Sequence, residues 1–127
     1  MGLDINFYKE SKLDPRYREN IGYFRKVNFI LTYFNVSEDL NCEHVHITEM
    51  QFKQFISDLD NELYRKFHYG YNVPVNEKLK TKAVFFGGSL DYDEYYWNDV
   101  QYVCDWAHKV IKDIDWDKDE FYVVAWW

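Results

Sequence analysis

Five cysteine and histidine side chains are spaced so that they could hold a metal ion. Cys42, His44 and His46 alternate in a predicted strand, so their side chains share one face. Cys104 and His108 are four residues apart in a predicted helix and also share a face. Together they would suit tetrahedral zinc if the two segments adjoin, although the spacing matches no known zinc signature. The alternative is a buried thiol with two partly exposed histidines.

The sequence contains no pattern typical of a catalytic nucleophile. Ser89 lacks the Gly-x-Ser-x-Gly setting of a hydrolase, and nothing in the sequence pairs either cysteine with a histidine. Asp91, Asp93 and Glu94 could bind magnesium, but helix capping already accounts for two of the three. The composition therefore favours a non-enzymatic protein and leaves the question of an enzyme open.

The last third of the chain is both acidic and aromatic. Residues 91–127 carry ten acids against three bases, whereas residues 1–35 carry six bases against four acids. All five tryptophans lie in that last segment, in a chain that is 21% aromatic. Acidic surfaces repel phosphate backbones and attract basic proteins. This pattern predicts no direct binding to duplex nucleic acid and a partner protein with a basic surface.

A predicted third helix concentrates these rings and carboxylates. A rotation of about 100° per residue places Tyr95, Asp99 and Tyr102 on one flank of the apolar stripe, with Trp106 and Asp113 beside them. Trp97, Cys104 and His108 fall on the opposite flank. Either the rest of the domain covers these flanks, or they form an exposed interface patch of tyrosine and tryptophan rimmed with carboxylates. The predicted partner-binding residues are Tyr92, Asp93, Tyr95, Asp99, Tyr102, Trp106 and Asp113.

The elements that must position these residues follow from hydrophobic periodicity. Apolar residues recur at helical spacing over residues 22–36, 49–67 and 92–114, and Thr48 with Gln51 forms a capping box before the second helix. Alternating or short apolar runs predict strands near residues 3–8, 42–47, 83–88 and 121–127. The 127 residues are the size of one domain. The predicted fold is a single α+β domain over residues 1–127, with about three helices on a three- to four-stranded sheet in the order β-α-β-α-(β)-α-β.

The lengths of the apolar runs, the first ten residues and the number of cysteines indicate the cellular compartment. No apolar run is long enough to span a bilayer, and residues 1–10 lack the basic start of a signal peptide. Cys42 and Cys104 do not make a disulfide framework. We therefore expect a cytoplasmic protein with free thiols and no membrane partner.

Several segments, taken in order, resemble a family of small uncharacterised proteins encoded by bacteriophages and prophages. They are MGLD at the start, GYFRKVNFI at 22–30, FFGGSLDYD at 85–93, DW at 115–116 and the final EFYVVAWW. The chain departs from the family pattern at Leu31, where members usually carry a histidine, and at the additional Gly88. If the family had a catalytic histidine there, this chain has lost it. The resemblance implies a mobile-element origin and transfers no activity.

The polar residues within the matched segments form a second candidate site. They are Asp4, Arg25, Lys26, Asn28, Tyr92 and Asp93. Arg25 is expected to meet Asp4 or Asp93 in a charge-assisted bond. This cluster is either an ion pair that orients helices on the sheet or a small polar recognition pocket.

The leading functional hypothesis is a non-enzymatic interaction protein of phage origin. It would dock on a basic host protein in the host cytoplasm, an inhibitor of a nucleic-acid-guided defence nuclease being one concrete version. The alternative is a small metal-dependent enzyme or zinc-stabilised binder that uses the cysteine and histidine ligands. A third class, a dimerising virion component, is favoured if Trp126 and Trp127 lie on an exposed strand edge.

Overall fold

The protein is built on a β-sheet, against which the helices pack. A computed structural model describes residues 2–81 and 91–127. In these ranges four antiparallel strands pair in the order β2-β1-β4-β3. The strands are β1 (Asp4–Ser11), β2 (Arg18–Arg25), β3 (His44–His46) and β4 (Asp119–Trp126), and the helices are α1 (Asn28–Tyr33), α2 (Glu49–Tyr69) and α3 (Glu94–Val110). The fold is a single small α+β domain, as the sequence predicts. The predicted strand at 83–88 lies outside the described residues.

The first predicted helix is wrong in its first half. Residues expected to form a loop and the start of a helix form β2, which pairs with β1 except at an irregularity around Ile21, and α1 begins only at Asn28. Phe24, Val27 and Leu31 are all buried, but they lie in a strand, a turn and a helix respectively. Their helical spacing is therefore coincidental, because pairing with β1 outweighs local periodicity. Lys26, with a positive φ of 59°, turns the chain from β2 into α1.

The second and third helices form where the sequence predicts them. The Thr48 and Gln51 capping box is present at the start of α2, and Gly70 ends that helix in the left-handed conformation. Helix α3 is capped by Asp93, whose carboxylate accepts the backbone N–H of Tyr96. Its predicted last turn is a 3-10 turn over Ile111–Asp113. None of the helices in the described ranges is both long and apolar enough to cross a membrane.

The helices pack on one face of the sheet, and aromatic and polar side chains fill the other. Phe7 and Phe121 face the helices, and Phe52 of α2 packs on Phe121 with ring centroids 4.7 Å apart. On the opposite face the ring of Tyr122, fully buried, stacks on Tyr8. Strand β4 is thus covered on both faces, as its apolar sequence predicts.

The C-terminal tryptophans do not lie on an edge of the sheet. Strand β4 runs between β1 and β3, so β2 and β3 are the edges of the four described strands. Trp126 lies opposite Asp4 of β1, and the backbone of Trp127 donates to Asn41. The condition that would favour a dimerising virion component through this edge is therefore not met.

Candidate functional site

Two tyrosines of α3 project into solvent, one in its first turn and one two turns further along the helix. Tyr95 is 73% exposed and Tyr102 is 65% exposed. Asp93 is exposed as well, and Asp99 between the two rings is half-buried. These four residues are the part of the predicted partner-binding surface that the fold places together at the surface of α3.

Trp106 does not belong to that surface. Its ring lies 4.7 Å from Phe7 and 5.0 Å from Phe24, centroid to centroid, and its Nε1 donates to the carbonyl of Ile21 at 2.7 Å. The indole therefore packs between α3 and β2 at the border of the hydrophobic core. The helical angle places Trp106 on the same flank of α3 as Tyr95 and Tyr102. It takes no account of β2, because the sequence assigned the residues of that strand to a loop and to the first predicted helix.

The remaining two predicted partner-binding residues differ in their placement. Tyr92 is half-buried, with its hydroxyl accepting the backbone N–H of Thr81 at 3.1 Å, so it borders the site as a structural residue. Asp113 is exposed in the 3-10 turn after α3, about 27 Å along the helix axis from Tyr95. It is too distant to share one contact with the tyrosines at the start of the helix.

A cavity of about 250 Å³ opens beside Tyr95, between α1 and the start of α3. Asp91, Asp93 and Asp99 line it with Lys26 and Asn28, so the described part of its lining holds three carboxylates and one ammonium group. We call it the Asn28 pocket. It unites Lys26, Asn28 and Asp93 of the predicted polar cluster with the acidic surface of α3, two sets that the sequence treats separately.

At the Asn28 pocket a buried hydrogen-bond acceptor has no donor. Asn28 is only 5% exposed, and its Oδ1 has no hydrogen-bond partner among the described residues. Leaving a buried polar atom without a partner costs about 1–3 kcal/mol. A ligand that brings a donor into the pocket would recover this free energy.

The electrostatics of the Asn28 pocket also favour a positively charged ligand. Burial, followed by the nearby charge of Asp93, raises the pKa of Asp99 above its ordinary value of 3.8. The ionised form of Asp99 is therefore less favourable in the folded protein than in the unfolded chain. A cation in the pocket would offset both the burial and the repulsion from Asp93.

Replacing Asp99 with asparagine is expected to stabilise the free protein modestly at pH 7. Because the folded-state pKa of Asp99 is raised, its charge penalty is fully present above that pKa and disappears as the pH falls below 3.8. The gain over wild type should therefore shrink on acidification. Urea unfolding at pH 7 and pH 3.5 measures both values, with Asp105→Asn, an exposed acid on α3, as control. A gain that is the same at both pH values would contradict this assignment.

The other two members of the polar cluster lie on the outer face of the sheet. Asp4 and Arg25 are paired in the register of β1 and β2, but the hydroxyl of Tyr23 is the donor to Asp4. No ion pair joins Arg25 to Asp4 or Asp93 within residues 2–81 and 91–127. The expected charge-assisted bond is therefore absent there, since strand alternation directs these side chains away from the helices.

The five predicted metal ligands do not come together. Cys42 is exposed before β3, while His44 and His46 lie on the outer sheet face, their rings 4.3 and 5.6 Å from that of Tyr122. Cys104 and His108 lie on α3, on the other side of the sheet. The condition that the two segments adjoin is not met.

Cys104 and His108 instead meet Asp60 of α2. The Cys104 thiol donates to Asp60 Oδ1 at 3.1 Å, and His108 Nε2 lies 2.9 and 3.0 Å from the two oxygens of the same carboxylate. Burial, and then the hydrogen bond to Asp60, raises the pKa of the Cys104 thiol to about 12. A neutral thiol is not a ready nucleophile, and the carboxylate rather than the imidazole stands next to it. The sequence offers no signal for Asp60, because the pairing of α2 with α3 is a tertiary contact.

Comparisons with known proteins do not add a family to this description. No protein-family model matches the chain, nor does any curated protein or solved structure.

Proposed function

We propose that this protein is a binding module that captures a partner protein with a basic surface through the Asn28 pocket and the exposed face of α3. The observation that carries the proposal is the buried Oδ1 of Asn28, which has no hydrogen-bond partner among residues 2–81 and 91–127 and belongs to a pocket lined by three carboxylates. An arginine side chain of the partner has the chemistry to satisfy it. Its planar guanidinium presents five donors, enough for the amide oxygen and a carboxylate together.

The tyrosines beside the pocket supply the apolar part of such a contact. Tyr95 lines the Asn28 pocket, and Tyr102 lies two turns further along α3, with its ring packed edge-on against Phe24. Tyrosine contributes a large contact area at low entropic cost and stacks on guanidinium groups. Tyr95 would therefore cover the arginine and Tyr102 would extend the contact along the helix.

Among the described residues that line the Asn28 pocket, Lys26 is the only one with a cationic side chain. It is exposed, and no ion pair joins it to Asp93 or Asp99 within residues 2–81 and 91–127. In this described part of the lining, carboxylates outnumber ammonium groups three to one. A second cation is therefore attracted rather than excluded, and association should slow as salt screens the acidic surface.

The chemistry of the site suggests the class of partner. Proteins that bind nucleic acid present arginine-rich grooves of the kind this surface would complement. Combined with the resemblance to phage proteins, this makes a nucleic-acid-guided defence nuclease of the host our candidate partner. We therefore propose a non-enzymatic inhibitory role in the host cytoplasm.

Titration with a small arginine derivative tests the pocket without a partner. N-acetyl-arginine methylamide should produce saturable NMR shifts at the side-chain amide of Asn28, whereas the neutral citrulline derivative should not. Asp99→Asn should abolish most of the effect although it stabilises the free protein. Equal shifts from both derivatives, or none up to about 50 mM, where even millimolar affinity would saturate, would refute a guanidinium site.

Binding to a purified candidate nuclease tests the surface of α3. Replacing Tyr95 and Tyr102 together with alanine should weaken binding at least about thirtyfold, the loss of roughly 2 kcal/mol typical of interface hot spots. The matched control is Tyr64→Ala/Tyr69→Ala, which removes two exposed tyrosines from the distant end of α2. Equal loss in both variants, or none in the first, would exclude α3 as the docking surface.

A further inference from the structure

Three different metal-ligating side chains converge between α2 and α3. Asp60 of α2, with Cys104 and His108 of α3, places one ligand atom each within 4.8 Å of the other two. Cys104 and His108 lie one helical turn apart, and Asp60 faces them from the neighbouring helix. This arrangement is separate from the Asn28 pocket.

The distances are close to those of a tetrahedral zinc centre. Bonds of 2.0–2.3 Å place the ligand atoms of such a centre about 3.3–3.8 Å apart. Here the carboxylate lies 3.1 Å from the sulfur and 2.9 Å from the imidazole nitrogen, and the sulfur and the nitrogen lie within 4.8 Å of each other, so adjustments of about 1 Å or less would bring the three atoms to the spacing of a metal site. The ligand set of thiolate, imidazole and carboxylate is one that zinc prefers.

The surroundings also favour a dication. Cys104 is only 2% exposed, whereas Asp60 and His108 are each about half exposed, so the cluster opens to solvent on one side. The carboxylate of Asp105, on the next residue of α3, adds negative charge near the thiol. An ion could enter from that side and keep a water or a partner's side chain as its fourth ligand.

We propose that Asp60, Cys104 and His108 form a zinc site that links α2 to α3. Binding replaces the thiol proton of Cys104, which leaves to solvent, with a sulfur–zinc bond, while Asp60 changes from hydrogen-bond acceptor to ligand. The sequence-predicted ligands Cys42, His44 and His46 take no part. The site is therefore three-coordinate in protein ligands, with an open position at the surface.

Titration of the untagged, chelator-treated protein with Zn²⁺ and Co²⁺ tests this site. We expect one equivalent of either metal, with a cobalt spectrum that shows a thiolate charge-transfer band and intense tetrahedral d–d bands. Cys104→Ser should abolish the charge-transfer band. Asp60→Asn and His108→Gln should each weaken zinc binding at least tenfold, since even outer-shell changes cost about 10–100-fold. At the same zinc concentration, the melting temperature should rise more in wild type than in any of these variants.

Two controls separate this site from other metal binding. Cys42→Ser removes the other, exposed thiol, and His44→Gln/His46→Gln removes the histidine pair on the outer sheet face. Both variants should bind zinc as wild type does, and near-ultraviolet circular dichroism verifies the fold of every variant. No saturable binding below about 100 μM zinc, or a cobalt spectrum unchanged in folded Cys104→Ser, would overturn the proposal.

Discussion

Replacing Glu62 with alanine is expected to lower the free energy of unfolding by about 3 kcal/mol. Glu62 is a carboxylate in α2 that is only 1% exposed. It accepts the backbone N–H groups of Val75 and Asn76 and pairs with Arg65 at 2.8 Å. Alanine would remove all of these acceptors at once, so the loop after α2 would lose its attachment to the helix.

Urea unfolding of Glu62→Ala, Glu62→Gln and Glu49→Ala measures this effect. Glutamine keeps one acceptor oxygen, so the free energy of unfolding of Glu62→Gln should lie between those of Glu62→Ala and wild type. Glu49 is an exposed acid of the same helix with an ion pair to Lys53, and its loss should cost no more than about 0.5 kcal/mol. A change below about 1 kcal/mol in Glu62→Ala would show that the loop does not depend on this carboxylate.

Glu62 also affects the candidate site, because the loop that it holds is hydrogen-bonded to the start of α3. The carbonyl of Asn72 accepts Nε1 of Trp97, and the carbonyl of Leu79 accepts the hydroxyl of Tyr96. Both rings belong to the first turns of α3, which carry Tyr95 and Asp99. Glu62→Ala should therefore also weaken arginine binding at the Asn28 pocket, although it touches no residue of the pocket.

Replacing Gly22 with alanine is expected to cost about 3 kcal/mol, at the upper end of the range for overpacking. A Cβ atom at Gly22 would lie 2.5 Å from Cζ2 and 2.7 Å from Cε2 of Trp106, closer than real side chains approach. The indole cannot retreat, because Phe7 and Phe24 surround it and its Nε1 is bonded to Ile21. The glycine is required here because a ring of α3 packs directly on the backbone of β2.

A double-mutant cycle with Trp106→Leu distinguishes this clash from a loss of strand propensity. Leucine lacks the indole atoms that meet the new methyl group, so Gly22→Ala should cost less than about 1 kcal/mol in that background. Equal costs in the two backgrounds would mean that the contact with Trp106 is not the cause. Thermal or urea unfolding of the four proteins provides the measurement.

Local sequence patterns predict α2, α3 and the general fold class. The capping box of α2 and the continuous apolar stripe of α3 act within one or two helical turns, so they operate before any tertiary contact forms. Strand β4 is similarly evident from its run of apolar residues. The helical angle places Tyr95 and Tyr102 beside the apolar stripe, but the sequence left open whether the rest of the domain covers them, and only the structure shows that both are exposed.

Strand β2 and the two sites depend on contacts between distant segments. Residues 18–25 form a strand because β1 offers a partner, and that strand partly covers Trp106, which helical angle alone would leave at the surface. The Asn28 pocket joins residues about seventy positions apart, and Asp60 reaches Cys104 across 44 positions. Chemical type and local periodicity therefore determined which side chains could act, whereas the packing of α1, α2 and α3 on the sheet decided which of them meet. The physical reason is that hydrogen bonds and charges act over a few ångströms in space, a distance that separation along the chain does not reveal.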